Sequence, residues 1–253
     1  MHLKDPVFPP LFQGIGVRAP QRPFSDAVAG AAKGRYGGGD LIWARNTKIM
    51  DVAIVLEPEV ERARCYEILC AGAVAVSDAL GAIAPPEVAI TWTWPHILLA
   101  NKARVGRLRF DLSPETGEDG APLWLVLGIE LAIMPDLSEP EPGLYLDRTT
   151  LFDEGCVDLD RTQVIEAWSR HFLTWIHTWS DEGFKQVHEA YLFRAEGYRQ
   201  DIQMEIGGRR LTGNFIGLDD NGHMLLKTEK GVERLHMADP LGLLQPGAEG
   251  EKP

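Results

Sequence analysis

Residues 51–80 read DVAIVLEPEVERARCYEILCAGAVAVSDAL, and the period of the apolar positions changes partway along. Asp51–Pro58 is β-branched and apolar and stops at a proline, the pattern of a buried strand. Over 59–80 the step lengthens: Cys65, Ile68, Leu69, Gly72, Val76 and Leu80 recur at three- and four-residue intervals. Glu59 and Glu61 stand where a helix N-terminus favours acids, and Gly81 follows as a closing residue. This spacing predicts a helix over 59–80, apolar almost all round after residue 68 and so buried against a sheet.

Working outward, strands are expected at Val88–Thr93, Ile97–Ala100 and Val105–Leu112, with Asn101-Lys102 at a hairpin turn. WLVLGIELAIM, 124–134, is the most apolar strand-like run. A buried helix followed by a meander of strands implies an α+β fold, a mixed or antiparallel sheet with helices packed on one face. Residues 135–160 carry eight acids against Arg148 and read as an irregular surface crossing. From Asp160, a candidate cap, Val164, Trp168, Phe172, Trp175 and Trp179 mark a second long helix, and Phe184–Glu196 a third. The three tryptophans anchor a core more readily than they stack on a ligand. From Ile202, turns at Gly207-Gly208, Asp219–Gly222 and Glu229–Gly231 space short antiparallel hairpins into a small β-barrel-like unit. The expected division is therefore an extended proline-rich segment 1–25, a main domain 26–200, a small domain 201–246 and a frayed tail 247–253.

The chain has 253 residues, 45% of them hydrophobic, and a formal net charge of -12. That balance argues against nonspecific grip on nucleic acid or an anionic membrane. Neither the number nor the spacing of Cys65, Cys70 and Cys156 makes a disulfide framework or a zinc site, so a cytoplasmic setting is expected. No motif proposes a metal centre.

The positive charge is gathered in two places. Arg18, Arg22, Lys33, Arg35, Arg45 and Lys48 face only Asp26 and Asp40 across 18–48, and Lys102, Arg104, Arg107 and Arg109 lie together without an acid. In the first stretch four glycines fall within 34–39. Glycine lets backbone N–H groups approach a phosphate or carboxylate that lysine and arginine then neutralise, so Lys33, Gly34, Arg35, Gly37 and Gly38 are candidate ligand-binding residues. Arg107 and Arg109, two apart, read as the wet face of a strand. His96, after Trp94-Pro95, breaks an apolar strand pair and is a candidate acid or base, with a turn histidine bonded to backbone as the equal alternative.

The order of these pieces resembles the catalytic domain of biotin protein ligases and their lipoate ligase relatives, a class II synthetase-like fold with a small SH3-like β-domain. Ala32-Lys33-Gly34-Arg35-Tyr36-Gly37-Gly38 resembles that family's Gly-Arg-Gly-Arg-x-Gly-Arg loop, and Thr93-Trp94-Pro95-His96-Ile97 its Lys-Trp-Pro-Asn-Asp signature. Val105-Gly106 resembles an Ala-Gly pair, and Gly128-Ile129-Glu130-Leu131-Ala132 a Gly-Ile-Gly-x-Asn strand end. Trp179–Phe184 is similar to the segment before the C-terminal barrel, and 202–245 to the barrel.

The resemblance implies acyl transfer in two steps, in which ATP with Mg and biotin, lipoate or another carboxylic acid form an acyl-adenylate that a protein lysine attacks. By the same resemblance Lys102 and His96 are the candidate catalytic residues, and Trp94, Gly106, Gly128 and Glu130 join the loop as ligand-binding. The departures are Thr93 for the signature lysine, Ile97 for the signature acid, Ala103 at the hairpin lysine's position and Glu130 for a glycine. Two outcomes remain: an enzyme activating or transferring a cofactor-like carboxylic acid onto an acceptor protein, or an inactive ligand- or protein-binding module on the ligase fold. A homodimer is a further possible partner arrangement. Both outcomes expect Arg35 and Lys102 to converge on one cavity.

Overall fold

The computed structural model describes residues 4–136 and 147–241. A seven-stranded sheet runs in the order β1 (Gln13–Val17), β2 (Asp40–Ala44), β3 (Ile49–Leu56), β7 (Leu125–Ala132), β6 (Ala103–Leu112), β5 (Ile97–Ala100), β4 (Ile90–Thr93). Only the β1–β2 pair is parallel, so the sheet is mixed. The segment before residue 25 does more than lie alongside: β1 forms the sheet's edge, and the Lys4 carbonyl accepts from Arg161 and Thr162.

Alternation along the strands sorts the side chains onto two faces. Met50, Val52, Ile54, Leu108, Phe110, Leu127, Ile129 and Leu131 join the large core beneath α2 (Glu67–Ile83), α3 (Arg161–Glu182) and α4 (Phe184–Arg194). Ile42, Ala53, Val55 and Val126 turn the other way, against the short helix α1 (Pro23–Ala31). The long helices thus share one face as expected, and α1 alone covers part of the second.

α2 begins eight residues later than the acids at 59 and 61 suggest. Residues 64–66 form a single 3-10 turn, and the Arg62 guanidinium reaches the Ser113 carbonyl at 2.6 Å. Glu67, 1% exposed, then opens the helix while accepting from Trp179 Nε1 at 2.5 Å and Arg64 Nε at 3.2 Å, so the buried carboxylate is paired. Gly81 does not end it. The stop comes at Ala84, extended as a residue before proline must be, with Pro85-Pro86 unable to continue the ladder. Arg64–Ile83 is apolar and long enough to cross a membrane, yet it is mostly buried inside the fold.

α3 starts at the expected cap: Asp160 Oδ1 accepts from Gln163 N at 3.0 Å while Gln163 Oε1 accepts from Asp160 N at 2.9 Å. Val164, Trp168, Phe172 and Trp179 are buried, and Trp175 donates to Asp78 at 2.8 Å, so this stripe is core. The three cysteines are free and buried.

β8 (Asp201–Ile206), β9 (Arg209–Leu218), β10 (Met224–Thr228) and β11 (Gly231–Leu235) form a separate antiparallel sheet ending in a short helix, α5 (Ala238–Leu241). The turn at Gly207-Gly208 has positive φ at both positions, as a tight two-residue hairpin requires. Of the acidic crossing, 147–160 runs through turns, with Arg148 bridged to Arg104; 137–146 and the tail 247–253 lie outside the described residues.

Candidate functional site

The face that carries α1 also carries a row of strand residues. Register places Asp51 opposite Glu130, Glu130 opposite Arg107, Arg107 opposite Ile97 and Ile97 opposite Thr93. Period two keeps them on one face. Arg107 Nε donates to Glu130 Oε2 at 2.7 Å, and Arg109 Nη1 to Oε1 at 3.2 Å, so one carboxylate ties two guanidiniums. Burial works against ionising Glu130, but these bonds and charges hold it below the usual carboxylate range. The Arg109 guanidinium lies 4.3 Å from the centre of the Phe24 ring at the start of α1.

Asp51, the next carboxylate in the row, makes no hydrogen bond or ion pair within the described residues. Burial, then the neighbouring charge of Glu130, pushes it up to about 6, with Arg109, Arg22 and Arg107 partly offsetting the rise.

His96 lies in the β4–β5 turn. Its carbonyl accepts from Leu108 N at 2.7 Å, and its ring Nδ1 is buried without a partner among the described residues. Burial and the adjacent Arg107 hold the ring below the ordinary imidazole range, so it is neutral near pH 7. Arg107 thus bonds Glu130 and acts on His96 through its charge.

The remaining expected residues are dispersed. Trp94 is 3% exposed on the helix-bearing face, and its indole N–H donates to the Gly222 carbonyl at 3.0 Å. It fastens β4 to the small sheet, away from the charged row. Gly106 also belongs to that opposite face, beside a bulge in β6, where a Cβ would meet the Glu130 carbonyl oxygen at 2.1 Å. Gly128 does face the site, but as packing: a Cβ there would meet the Phe24 ring at 2.5 Å.

In the glycine-rich loop, Gly37 N donates to Asp40 Oδ2 at 2.9 Å and Gly38 N to Glu57 Oε1 at 3.0 Å. Arg35 pairs with Asp26 at 2.5 Å and lies over Tyr36, while Lys33 and Gly34 are exposed. The amides expected to cradle an anion therefore already hold this chain's own carboxylates.

Lys102 sits at the tip of the β5–β6 hairpin with positive φ, exposed to solvent. Leu41, just after the loop, lies level with Ile54, Leu127 and Phe110, whereas Lys102 is eight positions along from Phe110. At roughly 3.3 Å per residue and about 4.8 Å per strand, loop and hairpin tip are about 30 Å apart. The expected convergence of Arg35 and Lys102 on one cavity is corrected: they occupy opposite ends of the sheet.

What sequence reasoning missed is that Glu130 pairs with Arg107 and Arg109 and that Asp51 joins them in one row. Arg107 and Arg109 were legible as a face two residues apart, but their partner is a lone acid, Glu130, inside the most apolar run, and Asp51 heads another. An acid inside each of two paired apolar strands was the available signal.

Asp40 and Glu57 thus stand against two of the loop amides, and no group of three or more His, Cys, Asp or Glu side chains placed to hold a metal ion occurs among the described residues.

The model of the biotin/lipoate A/B protein ligase family matches residues 8–193. A biotin–[acetyl-CoA-carboxylase] ligase of Paracoccus denitrificans is 24% identical over 209 residues, 83% of this chain and 85% of that protein. A biotin protein ligase-like protein of unknown function from Silicibacter sp. TM1040 superposes with a TM-score of 0.82 at 34% identity, covering 94% of this chain and 99% of that one. The biotin protein ligase of Aquifex aeolicus, solved with biotin and ATP, superposes at 0.70 with 18% identity over 88% of this chain and 95% of its own. With the mixed sheet, the covering helices and the appended antiparallel sheet, these matches show that the chain belongs to the biotin/lipoate A/B protein ligase family.

Proposed function

We propose that this chain is a binding module on the ligase fold, one that holds a small carboxylic acid without activating it. The observation that carries this is the glycine-rich loop, whose Gly37 and Gly38 amides are spent on Asp40 and Glu57. Adenylation builds negative charge on phosphoryl oxygens, and fixed donors must be aimed there beforehand. Here carboxylates occupy the donors, Lys102 lies at the far end of the sheet, and Thr93, Ile97 and Ala103 stand in place of the charged signature. Arg107 and Arg109 are the cations on the open face, and a ligand carboxylate can share them with Glu130. Three buried free thiols suit a reducing compartment such as the cytoplasm.

The test combines pyrophosphate release and calorimetry, using ATP, Mg and biotin, lipoate or octanoate. Binding of a carboxylic acid with no ATP-dependent pyrophosphate supports the module. Pyrophosphate release that depends on both ATP and the acid overturns it. One observation favours the activating enzyme: Lys33 is exposed and makes no ion pair among the described residues, leaving a cation free beside the loop. Under that alternative, Lys33→Ala abolishes the release.

A further inference from the structure

The open sheet face has an acceptor and donors that its own contacts leave unspent. Asp51 and Glu130 are directly opposite on adjacent strands, an arrangement that like charges make unfavourable. Glu130 is compensated by two guanidiniums, whereas Asp51 has no bonded partner within the described residues. Arg107 gives only its Nε to Glu130 in the described contacts, and its side chain is 51% exposed, so its terminal N–H groups have no described partner. One register step further along, Ile49, 39% exposed, lies opposite Ala132, adding an apolar flank beside the charges.

A lone anion on this row meets Asp51 and Glu130, and a lone cation meets Arg22, Arg107 and Arg109. A molecule bearing both charges satisfies each end and leaves the local balance unchanged. Asp51 and Arg107 lie two strands apart, about 10 Å between backbones, which suits charges separated by several bonds. Resting on the binding-module reading, we propose that this charged row recognises an ω-amino acid-like zwitterion, its ammonium group on Asp51 and its carboxylate on the N–H groups of Arg107 that have no described partner. The row supplies opposite charge at its two ends, with Glu130 between them and Ile49 flanking the Asp51 end, and it requires no step of bond making.

Calorimetry on the full chain at pH 7.5 with 6-aminohexanoate, glycine, hexanoate and hexylamine tests this. The expected result is that 6-aminohexanoate binds at least tenfold more tightly than the other three. Asp51→Asn weakens 6-aminohexanoate and hexylamine about tenfold and leaves hexanoate no weaker, since it also removes a charge that opposes the anion; Arg107→Gln weakens 6-aminohexanoate and hexanoate. Arg107→Lys, which keeps the charge, recovers part of the loss, and thermal melts establish that each variant is folded. Equal affinity for hexanoate and 6-aminohexanoate, or an Asp51→Asn variant that binds both as the parent does, overturns the proposal. If biotin, lipoate or octanoate binds and 6-aminohexanoate does not, the zwitterion site fails while the module stands. A chain that binds none of these compounds refutes both.

Discussion

Asp51→Asn should make the protein more stable at neutral pH. In the fold, burial and Glu130 push the Asp51 carboxyl up to about 6 from 3.8. A carboxyl raised this way contributes its full stability below pH 4, where both states are protonated. The unfolded chain then ionises first, stability falls as pH rises, and the loss is complete once pH passes about 6. At roughly 1.36 kcal/mol for each pH unit between the two states' titrations, the ceiling is about 3 kcal/mol, and solvent screening leaves about 1–2 kcal/mol. Asparagine is nearly isosteric and cannot ionise, and Asp51 accepts no hydrogen bond within the described residues, so the substitution removes the penalty without breaking a contact. For a chain of this size, that is a rise of about 2–8 °C in Tm. Urea and thermal melts at pH 4.0, 6.0 and 8.0 should show no gain at the lowest pH and the full gain at the highest. A variant equally stabilised at all three, or destabilised at pH 8.0, refutes the assignment of Asp51 as an uncompensated buried charge. A gain in stability accompanied by loss of zwitterion binding would mark a site held at a cost to the fold.

His223 and His236 should make the small sheet's attachment acid-sensitive. Their rings lie 3.9 Å apart, and their Nδ1 atoms accept from Met237 N at 3.3 Å and Ala238 N at 3.1 Å. Burial and His236 lower His223 to about 4 from 6.5, with Asp219 opposing, so its stabilising neutral form is intact above pH 6.5 and lost as pH falls towards 4, on the order of 3 kcal/mol. In urea melts at pH 7.5 and 5.0, His223→Leu should start lower by about 1–3 kcal/mol, because Met237 N loses its acceptor, and should then lack that acid-dependent fall. Trp94→Phe should cost about 1–3 kcal/mol through the lost bond to Gly222 and the smaller ring, while leaving any carboxylic-acid affinity from calorimetry unchanged. A drop in that affinity with stability intact would return Trp94 to the binding site.

The fold was legible because its signals are local. The strand-to-helix change of period after Leu56, the Asp160 cap with Gln163, and the glycine turns of the last hairpins each act within a few residues. The start of α2 was not, because what sets it is Trp179 reaching Glu67 across 112 positions. The site was less legible for the same reason. Whether Gly37 and Gly38 present free amides depends on Asp40 and Glu57, and whether Arg107 is a wet strand residue or part of a site depends on Glu130 two segments away. The resemblance gave the order of the elements, but only register gave the end of the sheet on which each charge falls.

The indole of Trp94 crossing to Gly222 has a consequence for how the molecule comes apart. Phe215, Leu226 and Met237 from the C-terminal region belong to the same apolar cluster as Trp92, Trp94 and Tyr191, so no water layer insulates the smaller sheet from the larger one. Exposing that cluster should therefore appear in calorimetry as one endotherm followed by one rise in heat capacity, since neither sheet can shed its partner without wetting its own interior.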